Sequence, residues 1–253
     1  MFLLRLARRW CQKNAFVYRQ WKRSFHSKWE YEHVCPVRGT DCLLTGWARS
    51  GNTFCSWLVR RVYPDLKIAS HGHVIGTLKM AQHLGIPIIV LFRHPRDVLP
   101  SLMARHVGME PGQANRLKDY LDICLVDWIE YYEYVLAHRG DFQILDFNDA
   151  VPHPENLFIL LDRLGVRAWD PSMDLEQAAH EQVTGMKRDD LPQESQYTPN
   201  PQKEERKREL LPMVLAHPRF PEAEAIYQRL REHAVSDFSL ARDEGAPEDQ
   251  AGR

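Results

Sequence analysis

Residues 43 to 54 read LLTGWARSGNTF. An apolar pair leads into Gly46, four residues pass, and Gly51 is followed directly by Asn52 and Thr53. This is the frame of a phosphate-binding loop, G-x-x-x-x-G-K-[ST], with asparagine in the lysine position and Arg49 three places before it. Between a strand and a helix, the two glycines permit a tight turn and let backbone N–H groups come close to an anion. The helix behind adds the positive end of its dipole and its unpaired first-turn N–H groups. Ser50, Asn52 and Thr53 offer side-chain donors, and Arg49 supplies a planar cationic fork suited to an oxyanion. Without the lysine, the loop suits an anion with less charge to neutralise than a nucleoside triphosphate. The competing reading is a glycine turn that binds nothing.

The segments around the loop alternate strand and helix. Asp41–Thr45 reads as a buried strand, Asn52–Val62 as a helix, Leu66–Ser70 as a short strand and Thr77–Leu84 as a helix. IPIIVLF at 86 to 92 is a continuous apolar run of strand length, and Pro95 sits where a helix likes to start. Apolar residues recur at three-to-four spacing from Leu117 to Leu136, predicting one long helix. DFQILDF at 141 to 147 follows as a strand, then Pro154–Leu164 as a helix stopped by Gly165. Such alternation implies an α/β fold: a three-layer, P-loop-type parallel sheet flanked by helices. Residues 187 to 206 are polar and rich in Pro and Gln, predicting a loop or lid. Two helices are expected near 206–215 and 221–234.

Residues 1 to 28 hold eight Lys/Arg and no acid, whereas the whole chain sums to −1. Everything after residue 28 therefore carries −9. Leu3, Leu6, Trp10, Val17 and Trp21 recur among these cations at near-helical spacing. The pattern fits a basic amphipathic helix lying on anionic lipid or a partner, a transit peptide, or a helix packed on the domain. The expected organisation is an arm at 1–35, a domain at 36–235 and a disordered acidic tail at 236–253. Five scattered cysteines without C-x-x-C spacing argue against a disulfide framework and point to a reducing, cytoplasmic setting, membrane-peripheral through the arm. No apolar run of about 18 residues is present to span a bilayer.

VLFRHPRDVLPSLM, 90 to 103, forms a second constellation. Arg93 stands just past a buried strand, where ligands of open α/β sheets bind, and Ser101 lies two turns into the next helix. Together with TGWARSGNTF, this segment resembles the PAPS-dependent sulfotransferases, where PAPS is 3′-phosphoadenosine 5′-phosphosulfate. The first segment is similar to that family's T-x-P-K/R-S-G-T-T-W loop. The resemblance puts Arg49, Ser50, Gly51, Asn52 and Thr53 around the 5′-phosphosulfate and Phe54 where an aromatic stacks on adenine. RHPRDVLPS resembles the family's R-x-P-x-D-x-x-x-S, which makes Arg93 and Ser101 the ligands of the 3′-phosphate. DFNDAVPHPENLFILLDRLG resembles a third family stretch, so the likeness runs from about 41 to 165.

The resemblance also implies a general base about 22 residues before Arg93, a count that lands on His71 in IASHGHV. His73 is its neighbour and competitor, and the pair could alternatively be two metal ligands. Ala48 replaces the family's loop proline. The family's R-K-G-x-x-G segment is not found near the C-terminus, where Lys187, Arg188, Lys203 and Arg206 are the available cations. The implied activity is sulfuryl transfer from PAPS, without a metal, to a hydroxyl or amine of a small-molecule, carbohydrate or lipid acceptor. No nucleic-acid partner is expected. A non-catalytic PAPS-binding protein is the alternative, and a P-loop nucleotide kinase is a third reading.

Overall fold

The computed structural model describes residues 10–25, 27–106, 114–185 and 201–238. The lid expected at 187–200 and most of the tail expected from 236 lie outside these residues. The two arm helices are α1 (Ala15–Phe25) and α2 (Lys28–Val34). Then follow β1 (Cys42–Gly46), α3 (Asn52–Val62), β2 (Ile68–Ser70), α4 (Ile75–Leu84), β3 (Ile88–Phe92), α5 (Pro95–His106) and α6 (Ala114–Ala137). The remainder is β4 (Gln143–Asp146), α7 (Phe147–Ala150), α8 (Glu155–Arg163), α9 (Leu175–Gly185), α10 (Pro201–Leu215) and α11 (Phe220–His233). The chain is thus the expected α/β alternation.

The four strands lie in the order β2-β1-β3-β4 and every pairing is parallel. Both faces of this sheet are covered, which is why its strands read as unbroken apolar runs. Ile88, Val90 and Phe92 of β3 face one layer with Leu78, Leu99, Trp128 and Val214 from α4, α5, α6 and α10. Ile89 and Leu91 face the other with Leu58, Val59, Phe158 and Leu161 from α3 and α8. The result is three layers, helix on sheet on helix. At the end of β1, a Cβ on Gly46 would lie 2.0 Å from the Leu91 carbonyl oxygen, so only glycine lets β1 run this close to β3.

Helices α3 and α5 leave β1 and β3 toward opposite faces, so the chain reverses its direction of travel between these neighbours. That crevice, at the carboxyl ends of β1 and β3, is the switch point at which parallel sheets bind ligands.

Two features depart from the sequence reading, and a third bears on one of its alternatives. Helix α9 falls in a stretch to which no element was assigned: Leu175 is its anchor, with Ala178 and Ala179 only partly buried beside it. Helix α10 begins at Pro201, so residues 201–206 belong to a helix and not to a lid; proline is well suited to the first helical turn. The arm helix α1 buries Tyr18 in a small core with Tyr31, Cys35 and Met80, which makes this part of the arm packed structure.

Candidate functional site

The loop leaves β1 at Gly46 and enters α3 through Gly51, whose φ of 89° lies in the left-handed region. No side chain caps α3, and among the described residues the N–H groups of Gly51, Asn52 and Thr53 find no backbone acceptor. Three N–H groups at the positive end of an 11-residue helix are therefore left without a backbone acceptor. Such an arrangement can hold an anion whatever the side chains do.

The side chains divide into two groups. Asn52 turns inward: its amide donates to the carbonyls of Gly46 at 3.3 Å and Trp47 at 3.0 Å. The residue in the lysine position thus ties the loop shut instead of reaching a phosphate. Ser50 is buried too, its hydroxyl 3.2 Å from the Tyr132 hydroxyl. Tyr132 also accepts the Trp47 N–H at 3.1 Å and donates to the Leu91 carbonyl at 2.9 Å, anchoring the loop to α6 and β3. The side-chain donors that the sequence reading gave to Ser50 and Asn52 are therefore spent inside the protein. Phe54 is half-buried against the apolar layer under α3.

Arg49 and Thr53 stay at the surface of the loop. Arg49 Nε donates to Ser101 Oγ at 3.1 Å, bridging the switch point from the β1 loop to α5. Two segments 52 residues apart in the chain are one site in the fold. Arg93 stacks its guanidinium 4.0 Å from the centre of the Phe147 ring, and that ring also approaches Gly51. Burial draws the Arg93 pKa down, while the charges of Asp97, Glu204 and Asp146 draw it back up. Phe147 escaped the sequence reading, although its place directly after a strand end is where a ligand-facing residue of this fold belongs. Lys203, 3% exposed, was one of the cations offered in place of the missing R-K-G-x-x-G segment; it lies on α10, the helix beside α5 and next to Glu204.

His71 follows β2 and is joined to the loop, its Nε2 3.1 Å from Thr53 Oγ1. Its Nδ1 lies 2.7 Å from Ser70 Oγ, which in turn accepts from Arg60 at 3.3 Å. When Nδ1 carries the proton and donates to Ser70, the Nε2 lone pair accepts from Thr53. His73 Nδ1 sits 2.7 Å from the Gly46 carbonyl, which can only accept, so Nδ1 is protonated and the lone pair is on Nε2. A small cavity of about 80 Å³ is lined by His73, Trp47, Tyr131, Asp127, Gln12 and Lys13, among others. Arg49 and His71 share one further property: they are the non-glycine residues with positive φ among those described, at 72° and 67°.

Burial pulls both histidines down to about 4, helped at His71 by the charges of His73, Arg60 and His33. Both rings are therefore neutral at pH 7, the form a base requires. The same shift couples to stability. An unfolded imidazole takes up a proton near 6.5, so between about 6.5 and about 4 the unfolded chain binds more protons and folding weakens as pH falls. His73→Gln, which keeps a donor for Gly46, should flatten the pH dependence of the urea midpoint across that window. An unchanged slope would show that His73 titrates normally.

Other chemistries find less support. Cys35, Cys42, Cys55 and Cys124 are buried thiols pushed up to about 12, hence packing residues. Among the described residues, no three His, Cys, Asp or Glu side chains cluster as a metal site. The strands beside β1 end in Ser70 and Phe92, followed by His71 and Arg93, so neither delivers the carboxylate of a nucleotide kinase. Asp146 ends β4 one strand further out, where it caps α7 through the Asn148 N–H at 2.9 Å. No helix among the described residues is long and apolar enough to cross a membrane.

The fold defines a parallel α/β protein with a glycine loop at its switch point. No family model matches the chain, and no curated protein does. Among solved structures it is similar to the mouse sulfotransferase SULT7A1 complexed with PAP, at 11% identity and a TM-score of 0.47. The match covers 78% of this chain and 91% of that one.

Proposed function

We propose that this chain is a sulfotransferase that moves a sulfuryl group from PAPS to a hydroxyl or amine acceptor, with His71 as general base. The observation that carries the reading is the Arg49–Ser101 hydrogen bond at 3.1 Å. It joins the loop that fits a 5′-phosphosulfate to the segment that fits a 3′-phosphate. The donor supplies the sulfuryl group and departs as adenosine 3′,5′-bisphosphate (PAP). Arg49 and the first-turn N–H groups of α3 hold the anionic oxygens, and negative charge gathers there as the sulfur–oxygen bond breaks. His71 takes the acceptor's proton while the new bond to sulfur forms. Ser70 holds the ring from Nδ1, and the acceptor hydroxyl takes the place of the Thr53 hydroxyl at Nε2 to hand over its proton.

Transfer of label from PAPS to a panel of alcohols, phenols, amines and sugars, run in EDTA, tests the activity. Label transfer in EDTA supports the proposal. A strict metal requirement would move the chain to the kinase reading, and donor binding without transfer would make it a binding protein.

The 3′-phosphate assignment has its own test. PAP should bind at least about tenfold tighter than AMP, because a charge-assisted contact contributes about 1.5–3 kcal/mol. At 100 times its dissociation constant a ligand stabilises by about 2.7 kcal/mol, so the preference is readable as a melting shift. Arg93→Ala and Ser101→Ala should each narrow the gap between PAP and AMP while leaving AMP unchanged. ADP stabilising as well as PAP would exclude PAPS as the donor.

A further inference from the structure

Six large apolar side chains are strongly exposed among the described residues, and Trp10, Phe16, Trp21 and Phe25 of the arm are four of them. Phe16, Trp21 and Phe25 lie on α1, which does not show them because it lacks a packing partner. Tyr18, 3% exposed, anchors it against Met80 of α4 and Tyr31 and Cys35 of the arm. With Tyr18 fixed underneath, the 3.6-residue period sets the rest of the helix. Val17, Trp21 and Phe25, four apart, form a row along one flank. Trp21 and Phe25 are 45% and 74% exposed, with ring centres 6.3 Å apart. Arg19 and Arg23, also four apart, run along the other flank and are exposed, with the exposed Phe16 beside them. Lys22 lies between the rows, its ammonium 5.2 Å from the Trp21 ring.

We infer that α1 is a docking surface for an anionic lipid bilayer. Indole and phenyl rings beside a row of cations match the two layers of a membrane interface, acyl carbon below and headgroup phosphate above. Charge complementarity selects the lipid and sets the orientation. Residues 1 to 28 carry eight cations and no acid, while the rest of the chain carries −9 against a total of −1. An anionic surface therefore attracts the arm and repels the body, so the protein lies with α1 down. The inference does not depend on the sulfotransferase reading.

The test is sedimentation of the full chain with vesicles of phosphatidylcholine alone or with about 30% phosphatidylserine. Binding is expected on the anionic vesicles, at least about tenfold weaker on the neutral ones, and lost as salt rises from about 0.1 to about 0.5 M. Trp21→Ser with Phe25→Ser should lower the partition at least about tenfold. Arg23→Gln, an exposed single change with no bearing on the core, should lower it about fivefold. Unchanged melting temperatures certify both variants; should the double variant fail to fold, the Arg23→Gln and salt arms decide the matter. Equal binding to both vesicles, or to neither, overturns the inference. So does a dimer in sedimentation equilibrium that the Trp21/Phe25 variant abolishes, since the face would then belong to a second copy.

Discussion

Replacing Arg49 by alanine should lower the rate of sulfuryl transfer about 10²- to 10³-fold and weaken donor binding. Removing one donor aimed at developing negative charge costs about 2.7–4 kcal/mol in a dry, preorganised site. Arg49 is the cation carried by the loop itself, and its Nε already faces Ser101 across the switch point at 3.1 Å. Arg49→Lys should recover only part of the loss, because an ammonium keeps the charge but not the planar fork. Loop closure does not depend on this side chain: Asn52 holds the Gly46 and Trp47 carbonyls, and Tyr132 holds the Trp47 N–H. The melting temperature should accordingly stay near that of the parent. Turnover within a few-fold of the parent would show that the loop is a structural turn.

His71→Ala should cut turnover at least about 100-fold while donor affinity holds, since a positioned base contributes about 10²–10⁴. The contrast with Arg49, where both quantities fall, separates proton transfer from anion binding. With His71 drawn down to about 4, the rate should stay level from neutral pH to about 5 and drop only as pH approaches 4. An acid limb near 6.5 instead would mean that the ring is solvated during turnover. His73 provides the internal comparison, because its protonated Nδ1 on the Gly46 carbonyl leaves Nε2 as an available base. If His73→Ala is the damaging change and His71→Ala is mild, the base is His73.

Much of the frame was legible in the chain because buried parallel strands leave a plain signal. IPIIVLF could hardly be anything but a central strand, and β3 occupies 88 to 92 of it. Helix α3 falls at 52–62, where the glycine loop required a helix to start. The C-terminal third was harder for a physical reason: α9 and the start of α10 place few apolar residues against the domain, so their period is faint. In the site, the resemblance assigned Arg49 to one end of the donor and Ser101, with Arg93, to the other, and neither motif foretold that Arg49 and Ser101 would meet. Nor was the inward turn of Ser50 and Asn52 foretold, because it depends on Tyr132, 82 residues from Ser50. Phe147 was missed although it directly follows a strand end, and Lys203 was named without its place beside α5, which only packing sets.

The left-handed backbone at Arg49 and His71 has a consequence for anyone who evolves this protein in the laboratory. Each side chain is held where glycine would be more comfortable, at a cost of about 1–2 kcal/mol per position. A screen that rewards heat tolerance alone should therefore drift toward glycine at 49 and 71. It would return sturdier proteins that had discarded the cation and the imidazole together. Screens for durable catalysts built on this scaffold should hold those two codons constant and search elsewhere.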